Sequence, residues 1–272
     1  MALVPFPGGA TPARYEEPDD DVEPDGEDGA TAKMSFLEHL DELRKRLLMS
    51  ILSIGVGFVI ALIFIDRVFA FIMVPLQATL PDGRKMIYTE PTEAFMLRLK
   101  VAALVGLIIA APAIMWQLWL FIAPGLYRRE KRLALPFVIS SSLLFVSGAA
   151  FNHYIVFPVA FDFLGSFDTE YMEFLPRIEP VFSLYARMLL ALGLVFQMPV
   201  LVFTLARLGL ITARFMVRNI KYAVLVIFIV AAVVTPSSDI VNQTLMAAPM
   251  LVLYLISIGI AWMVAPRNSV RD

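Results

Sequence analysis

The chain repeats long apolar runs that carry no charged residue, separated by shorter polar segments. A helix of roughly 20 apolar residues crosses the ~30 Å hydrocarbon core of a bilayer. The runs lack the alternation of apolar and polar positions that membrane-spanning barrel strands require. The pattern therefore predicts an all-α polytopic membrane protein with six transmembrane helices, at about 47–66, 93–122, 133–158, 181–206, 221–235 and 240–264.

An amphipathic segment precedes the first run. Between 35 and 46 the apolar residues recur at helical spacing, which predicts an interfacial helix leading into the first span. Upstream, residues 1–33 carry nine acids and two basic residues, so their net charge is −7 and the rest of the chain is +5. This segment is too polar to bury a core and is predicted to be a disordered acidic arm. The six-helix membrane domain then occupies 34–266, followed by a short tail over 267–272.

Basic residues indicate the orientation. They cluster before the first run, between the second and third, between the fourth and fifth, and after the sixth. Cytoplasmic loops carry an excess of Lys and Arg, so both termini are predicted to be cytoplasmic, although the first outer loop also holds five basic residues. The fifth run has room for only ~14 helical residues, or ~21 Å. We expect local thinning or water entry there.

Composition excludes several classes of protein and site. The hydrophobic content of 59% and the mean hydropathy of +0.77 are too high for a soluble chain. The absence of cysteine excludes disulfides, thiolate metal sites and cysteine nucleophiles. With only His39 and His153, a histidine-rich metal centre is not expected, and no cofactor is predicted. Neither an HExxH nor a GxSxG motif is present, which argues against an intramembrane enzyme.

Two carboxylates, Glu42 and Glu130, are predicted to lie at the same cytoplasmic interface. Glu42 belongs to the amphipathic segment, and Glu130 is the only acid in the strongly basic loop 121–132. Each has a plain interpretation, as a solvated charge on an interfacial helix or as a partner of neighbouring arginines. The functional interpretation is an acceptor for a cationic peptide, because carboxylates bind guanidinium groups through strong bidentate hydrogen bonds.

Three further polar residues lie in or beside the apolar runs: Gln197, Asp239 and Gln243. Gln197 is near the middle of the fourth run, where an amide hydrogen-bonds either another helix of the same chain or a partner helix. Asp239 suits the N-cap of the sixth helix, with Gln243 one turn further on, and the alternative for Asp239 is a group that titrates during transport.

These segments resemble one family, the TatC subunits of the twin-arginine protein translocase. The resemblance covers roughly residues 35–265 and rests on six motifs in order: FLEHLDELRKR at 36–46, PL at 75–76, FIAPGLYRREKR at 121–132, SSSLLF at 140–145, VFPVAF at 156–161 and DxxxQT at 239–244. It implies six helices in a cup-like or glove-like arrangement with both termini cytoplasmic.

The resemblance also implies a function, a receptor for signal peptides that bear a consecutive arginine pair. It assigns the arginine-pair site to Glu42 and Glu130, with Arg44 as the arginine of ELR and Phe121 as the aromatic of FIAP. It makes Pro75 the proline of the first outer loop. Folded proteins would then be transported with single-span TatA and TatB partners, driven by the proton motive force. The resemblance further implies that copies of the chain associate with one another and that the chain contacts membrane lipid. It implies a location in the inner membrane of a prokaryote, and it implies no nucleic-acid partner.

Two departures from the family pattern are visible. The family often has Glu where this chain has Gln197, so a titratable group is missing at that position. The TPSSD segment that ends at Asp239 has one residue more than the common TPPD spacing.

The alternative function is a proton- or ion-coupled small-solute transporter. Such a protein needs charged groups at the bilayer midplane and discontinuous helices from paired repeats. The runs hold amides rather than acid pairs, and the sequence shows no internal repeat. Solute uptake by the purified protein alone in liposomes would favour this alternative.

Overall fold

The computed structural model describes residues 36–78, 80, 85–122, 134–167, 171, 174–235 and 239–264. The predicted arm over 1–33, Glu130 and the tail over 267–272 lie outside these residues. The chain divides into two compact units, Met1–Leu40 and Asp41–Asp272, and the first contributes only the beginning of the first helix to the described residues. The helices are α1 (Phe36–Ile63), α2 (Ile65–Ala78), α3 (Glu93–Ile122), α4 (Ala134–Phe151), α5 (Phe157–Gly165), α6 (Ile178–Val195), α7 (Met198–Arg207), α8 (Ala213–Arg218), α9 (Ile220–Val234) and α10 (Ile240–Val264).

The membrane-spanning character predicted from the apolar runs is confirmed. Within the described residues, five helical segments are long and apolar enough to cross a membrane: Glu38–Ile63, Glu93–Ile122, Ala134–Gly165, Ile178–Arg207 and Ile240–Val264. A sixth apolar helix, α9, has 15 residues, or about 22 Å at the helical rise. The first span and the amphipathic segment before it form one helix, α1, because nothing between them breaks the helical periodicity.

Two of the long segments are interrupted near their middle. A π-helical stretch, Asn152–Val156, joins α4 to α5, and a turn at Phe196 and Gln197 separates α6 from α7. Pro158 and Pro199 stand in the first turn of the helix that resumes after each interruption. A proline is tolerated there because the first backbone N–H groups of a helix have no intrahelical acceptor.

The first outer connection contains a helix that the sequence analysis missed. Pro75, which was predicted to be in a loop, lies buried inside α2. Leu76 of α2 is fully buried in the same core as Phe157 of α5 and Tyr185 of α6. The apolar face of α2 therefore packs against the interior, and this packing outweighs the helix-breaking tendency of the proline.

Helices α1 and α3 approach each other closely at a pair of glycines. A Cβ atom added to Gly57 would lie 2.3 Å from the carbonyl oxygen of Gly106, and one added to Gly106 would lie 2.5 Å from the backbone nitrogen of Phe58. Small residues allow such backbone contact between helices in a membrane, where van der Waals packing drives association. The two glycines therefore set the register of α1 against α3.

Candidate functional site

Near the predicted cytoplasmic end of α1, Glu42 forms an ion pair with Arg46 of the same helix, and Arg46 also reaches α3. Glu42 Oε1 accepts a hydrogen bond from Arg46 Nη2 at 3.0 Å, one helical turn further along α1. Arg46 Nη1 also donates to Gln117 Oε1 of α3 at 3.5 Å. Arg46 therefore holds the carboxylate of Glu42 against α3.

This ion pair is only partly satisfied. The side chain of Glu42 is 13% exposed and that of Arg46 is 24% exposed. Glu42 Oε2 and Arg46 Nε are buried and find no hydrogen-bond partner among the described residues. A buried carboxylate oxygen without a partner carries a free-energy cost that an additional N–H donor would relieve. Glu42 Oε2 would therefore gain a hydrogen bond from a further cationic group once a side-chain movement exposed it.

The other predicted residues of this end are placed as follows. Arg44 is exposed on α1. Phe121 is half-buried near the end of α3, one turn beyond Gln117 and so on the same helix face. Glu130 lies outside the described residues, in the connection that follows Ile122.

Sequence reasoning missed two members of this site. Arg46 is four residues after Glu42, and a Glu–Arg pair at this spacing is a recognised helix signal that could have predicted the ion pair. No sequence signal pointed to Gln117, because its role depends on which face of α3 meets α1.

The side-chain amides of Gln197 and Gln243 both bond within the chain. Gln197 is buried, and its Nε2 donates to the backbone oxygen of Ser141 on α4 at 2.8 Å. Gln243 of α10 donates through Nε2 to the backbone oxygen of Phe228 on α9 at 3.0 Å. Each amide therefore joins the segment that carries it to a neighbouring helix.

Asp239 has the geometry of a helix N-cap. Its Oδ1 accepts from the backbone N–H of Asn242 at 2.7 Å, and its Oδ2 accepts from Asn242 Nδ2 at 3.0 Å. The backbone N–H groups of the first helical turn lack intrahelical acceptors, so this carboxylate stabilises the beginning of α10.

On the outer side, Glu93 connects two parts of the chain that are distant in sequence. Its buried carboxylate accepts hydrogen bonds from the backbone N–H groups of Thr89 (3.0 Å), Glu90 (3.4 Å) and Glu179 (3.3 Å). It also forms an ion pair with Arg177, whose Nη2 lies 3.5 Å from Oε2. Glu93 was not among the residues predicted to be functional. The contacts tie the beginning of α3 to the beginning of α6.

His153 lies buried in the π-helical stretch. Its Nδ1 forms a 2.9 Å hydrogen bond with the hydroxyl of Tyr185 on α6, and its ring stacks on Phe71 of α2 at a centroid distance of 4.4 Å. An ionisable residue inside a predicted span was the available signal for this contact. No group of three or more His, Asp or Glu side chains within the described ranges could hold a metal ion.

The chain is similar to proteins of one family over most of its length. The profile of the family described as "Sec-independent protein translocase protein (TatC)" matches residues 38–249. The protein of that name from Koribacter versatilis is 43% identical over 238 residues, which cover 86% of this chain and 88% of that protein. The one from Desulforapulum autotrophicum is 44% identical over 226 residues, or 83% of each chain.

Solved structures show the same similarity. A structure described as the crystal structure of the twin arginine translocase receptor TatC is 37% identical, with a TM-score of 0.73 over 82% of this chain and 98% of that one. A second, described as the same receptor in DDM, is 36% identical with a TM-score of 0.74 over the same shares.

Proposed function

The chain belongs to the TatC family of Sec-independent protein translocases, and from this premise we propose that its cytoplasmic end binds the arginine pair of signal peptides. It is a core subunit of the twin-arginine translocase and a multi-pass membrane protein with a role in transport. The small-solute transporter is not favoured, because the similarity extends over most of the chain.

The observation that carries the proposal is the partly satisfied carboxylate of Glu42. One oxygen is bound by Arg46, whereas the other is buried without a partner in the described part of the chain. A guanidinium presents several N–H donors in a planar fork and is bound well by a carboxylate oxygen in this setting. A signal-peptide arginine would therefore supply the hydrogen bond that Glu42 Oε2 lacks.

Charge balance explains why a second acid belongs to the site. Arg46 already offsets the charge of Glu42, so two incoming guanidinium groups bring uncompensated positive charge to a partly buried position, and a further carboxylate reduces it. In our proposal Glu130 supplies it. Phe121, on the face of α3 that also carries Gln117, offers apolar contact beside the pair, and the exposed Arg44 contacts peptide or lipid headgroups.

The partners follow from the same premise. We propose that the cargo is folded protein, that single-span TatA and TatB subunits assist its transport, and that the proton motive force drives it in the inner membrane of a prokaryote. The half-buried Gln243 would bind a partner helix through Oε1, because its Nε2 is already bonded within the chain. The buried Gln197 is a membrane-embedded polar residue that bonds to Ser141 of the same chain. Copies of the chain also associate in a receptor complex.

Binding of a labelled twin-arginine signal peptide to the full chain in nanodiscs tests the arginine-pair site. We expect Glu42→Gln and Glu130→Gln each to weaken binding by about 10-fold or more, since a hydrogen bond to a charged group contributes about 1.5–3 kcal/mol. Asp41→Asn is the matched control, because it removes the same charge from the adjacent, exposed position. A peptide with two lysines should bind more weakly than the arginine peptide.

Two results would contradict the assignment. The first is wild-type affinity in the double variant Glu42→Gln/Glu130→Gln. The second is an equal loss in Asp41→Asn, which would indicate general attraction to negative charge rather than a site at Glu42.

A further inference from the structure

A groove with one basic wall and one apolar wall lies between α8 and the end of α10. Both elements are on the predicted cytoplasmic side, since α8 follows the fourth span and α10 ends there. The groove has a volume of about 510 Å³ and is lined by Ala213, Arg214, Val217, Arg218, Ile258, Gly259 and Trp262. We refer to it as the α8–α10 groove.

Helix α8 is short, but a capping hydrogen bond, a hydrogen bond to α10 and one buried side chain hold it in place. Thr212 caps it by accepting a hydrogen bond from the backbone N–H of Phe215 at 3.2 Å. Tyr254 of α10 donates its hydroxyl proton to the backbone oxygen of Met216 at 2.9 Å, and the Met216 side chain is buried. This bond attaches α8 to α10, so the residues that α8 presents to the groove are held in place.

Two arginines form the basic wall. Arg214 and Arg218 are one helical turn apart, so they lie on the same face of α8. Both are exposed, and neither forms an ion pair with an acid in the part of the chain that the structure describes. A pair of uncompensated guanidinium groups at this spacing is suited to a phosphate, which they bind through charge-assisted hydrogen bonds.

The opposite wall is apolar and open. A Cβ atom added to Gly259 would meet nothing within 4 Å, so the backbone of α10 is exposed on the floor of the groove. Ile258 and Trp262 flank this floor, and Trp262 is 78% exposed. Tryptophan is enriched at the membrane interface because its ring contacts both acyl chains and headgroups.

We propose that the α8–α10 groove binds one anionic glycerophospholipid. Arg214 and Arg218 bind its phosphate group, and an acyl chain lies over Gly259 between Ile258 and Trp262. Two properties of the groove identify this ligand. The basic wall is complementary to a negatively charged phosphate group, and the apolar wall is complementary to an acyl chain. A phospholipid carries both groups in one molecule. Basic pockets between spanning helices on the cytoplasmic side recognise such headgroups.

The test is native mass spectrometry of the full purified chain titrated with phosphatidylglycerol or phosphatidylcholine. We expect phosphatidylglycerol to bind roughly 10-fold more tightly, and Arg214→Gln/Arg218→Gln to remove that preference. Gly259→Leu should weaken phosphatidylglycerol binding without removing a charge, because its side chain would occupy the groove and its Cβ atom would meet nothing within 4 Å. The melting temperature of each variant reports whether it is folded.

Matched controls separate this site from general charge effects. Arg67→Gln/Arg187→Gln removes two exposed arginines outside the groove and should retain the lipid preference. Equal loss in this control, or no preference in the wild type, would overturn the proposal. So would displacement of the lipid by an equal concentration of glycerol 3-phosphate, since a headgroup alone lacks the acyl contacts. A folded Gly259→Leu variant with wild-type lipid affinity would refute the acyl position.

Discussion

The close contact of α1 and α3 allows one substitution to be predicted in detail, Gly57→Ala. Its Cβ atom would lie 2.3 Å from the carbonyl oxygen of Gly106, a backbone atom that no side-chain rotation can move. The two helices must therefore separate by about 1 Å to reach an ordinary van der Waals distance. Overpacking of this kind costs about 1–3 kcal/mol of stability.

A second glycine of the same helix supplies the control. A Cβ atom on Gly55 would meet nothing within 4 Å, so Gly55→Ala adds the same methyl group without a clash. Both substitutions gain the same helix propensity, up to about 1 kcal/mol. The difference in unfolding free energy between the two variants therefore isolates the contact with Gly106, and we expect Gly57→Ala to be about 1–3 kcal/mol less stable than Gly55→Ala.

Unfolding in mixed micelles of increasing SDS content measures this difference. Tryptophan fluorescence provides the signal, because Trp116 and Trp119 lie on α3. Gly106→Ala should resemble Gly57→Ala, since its Cβ atom would lie 2.5 Å from the backbone of Phe58. If Gly57→Ala were as stable as Gly55→Ala, the reasoning from backbone contact would be wrong.

The same contact bears on the candidate site. Arg46 precedes Gly57 by eleven residues, and Gln117 follows Gly106 by eleven residues. Along each helix this is about 16.5 Å, so the glycine contact and the Arg46–Gln117 hydrogen bond lie at matching distances along two antiparallel helices. That hydrogen bond is already 3.5 Å long, and separation of the helices by about 1 Å would break it.

Two further predictions concern polar residues of the spans. Gln197→Leu removes the hydrogen bond to Ser141 and should reduce the unfolding free energy in the same SDS assay by about 0.6–1.7 kcal/mol; an unchanged value would show that the bond contributes nothing. Asp239→Ala should cost about 0.5–2 kcal/mol, whereas Asp239→Asn should keep both the stability and the transport of a twin-arginine substrate into membrane vesicles, because asparagine also caps helices. A stable Asp239→Asn variant that no longer transports would instead support titration of this carboxylate.

The membrane-spanning character of the chain was predictable because it depends on a one-dimensional property. An apolar run either is or is not long enough to cross the hydrocarbon core, and lipid leaves the backbone of such a run no alternative to the helix. The short fifth run and the capping preference of Asp239 are equally local. The motifs from 36–46 to 239–244 identified the family for the same reason, since each is read from a few neighbouring residues.

The tertiary structure decided which faces of the helices meet. In lipid the surroundings are as apolar as the side chains, so hydrophobic periodicity does not say which face of α3 contacts α1. Three features depend on which helix faces pack together: the burial of Pro75 in α2, the hydrogen bond between Arg46 and Gln117, and the hydrogen bond from Gln197 to Ser141. Sequence reasoning could therefore propose Glu42 as a cation acceptor, and its spacing from Arg46 could have predicted the ion pair within α1. The burial of the second carboxylate oxygen, which has no partner among the described residues, could be read only from the tertiary structure.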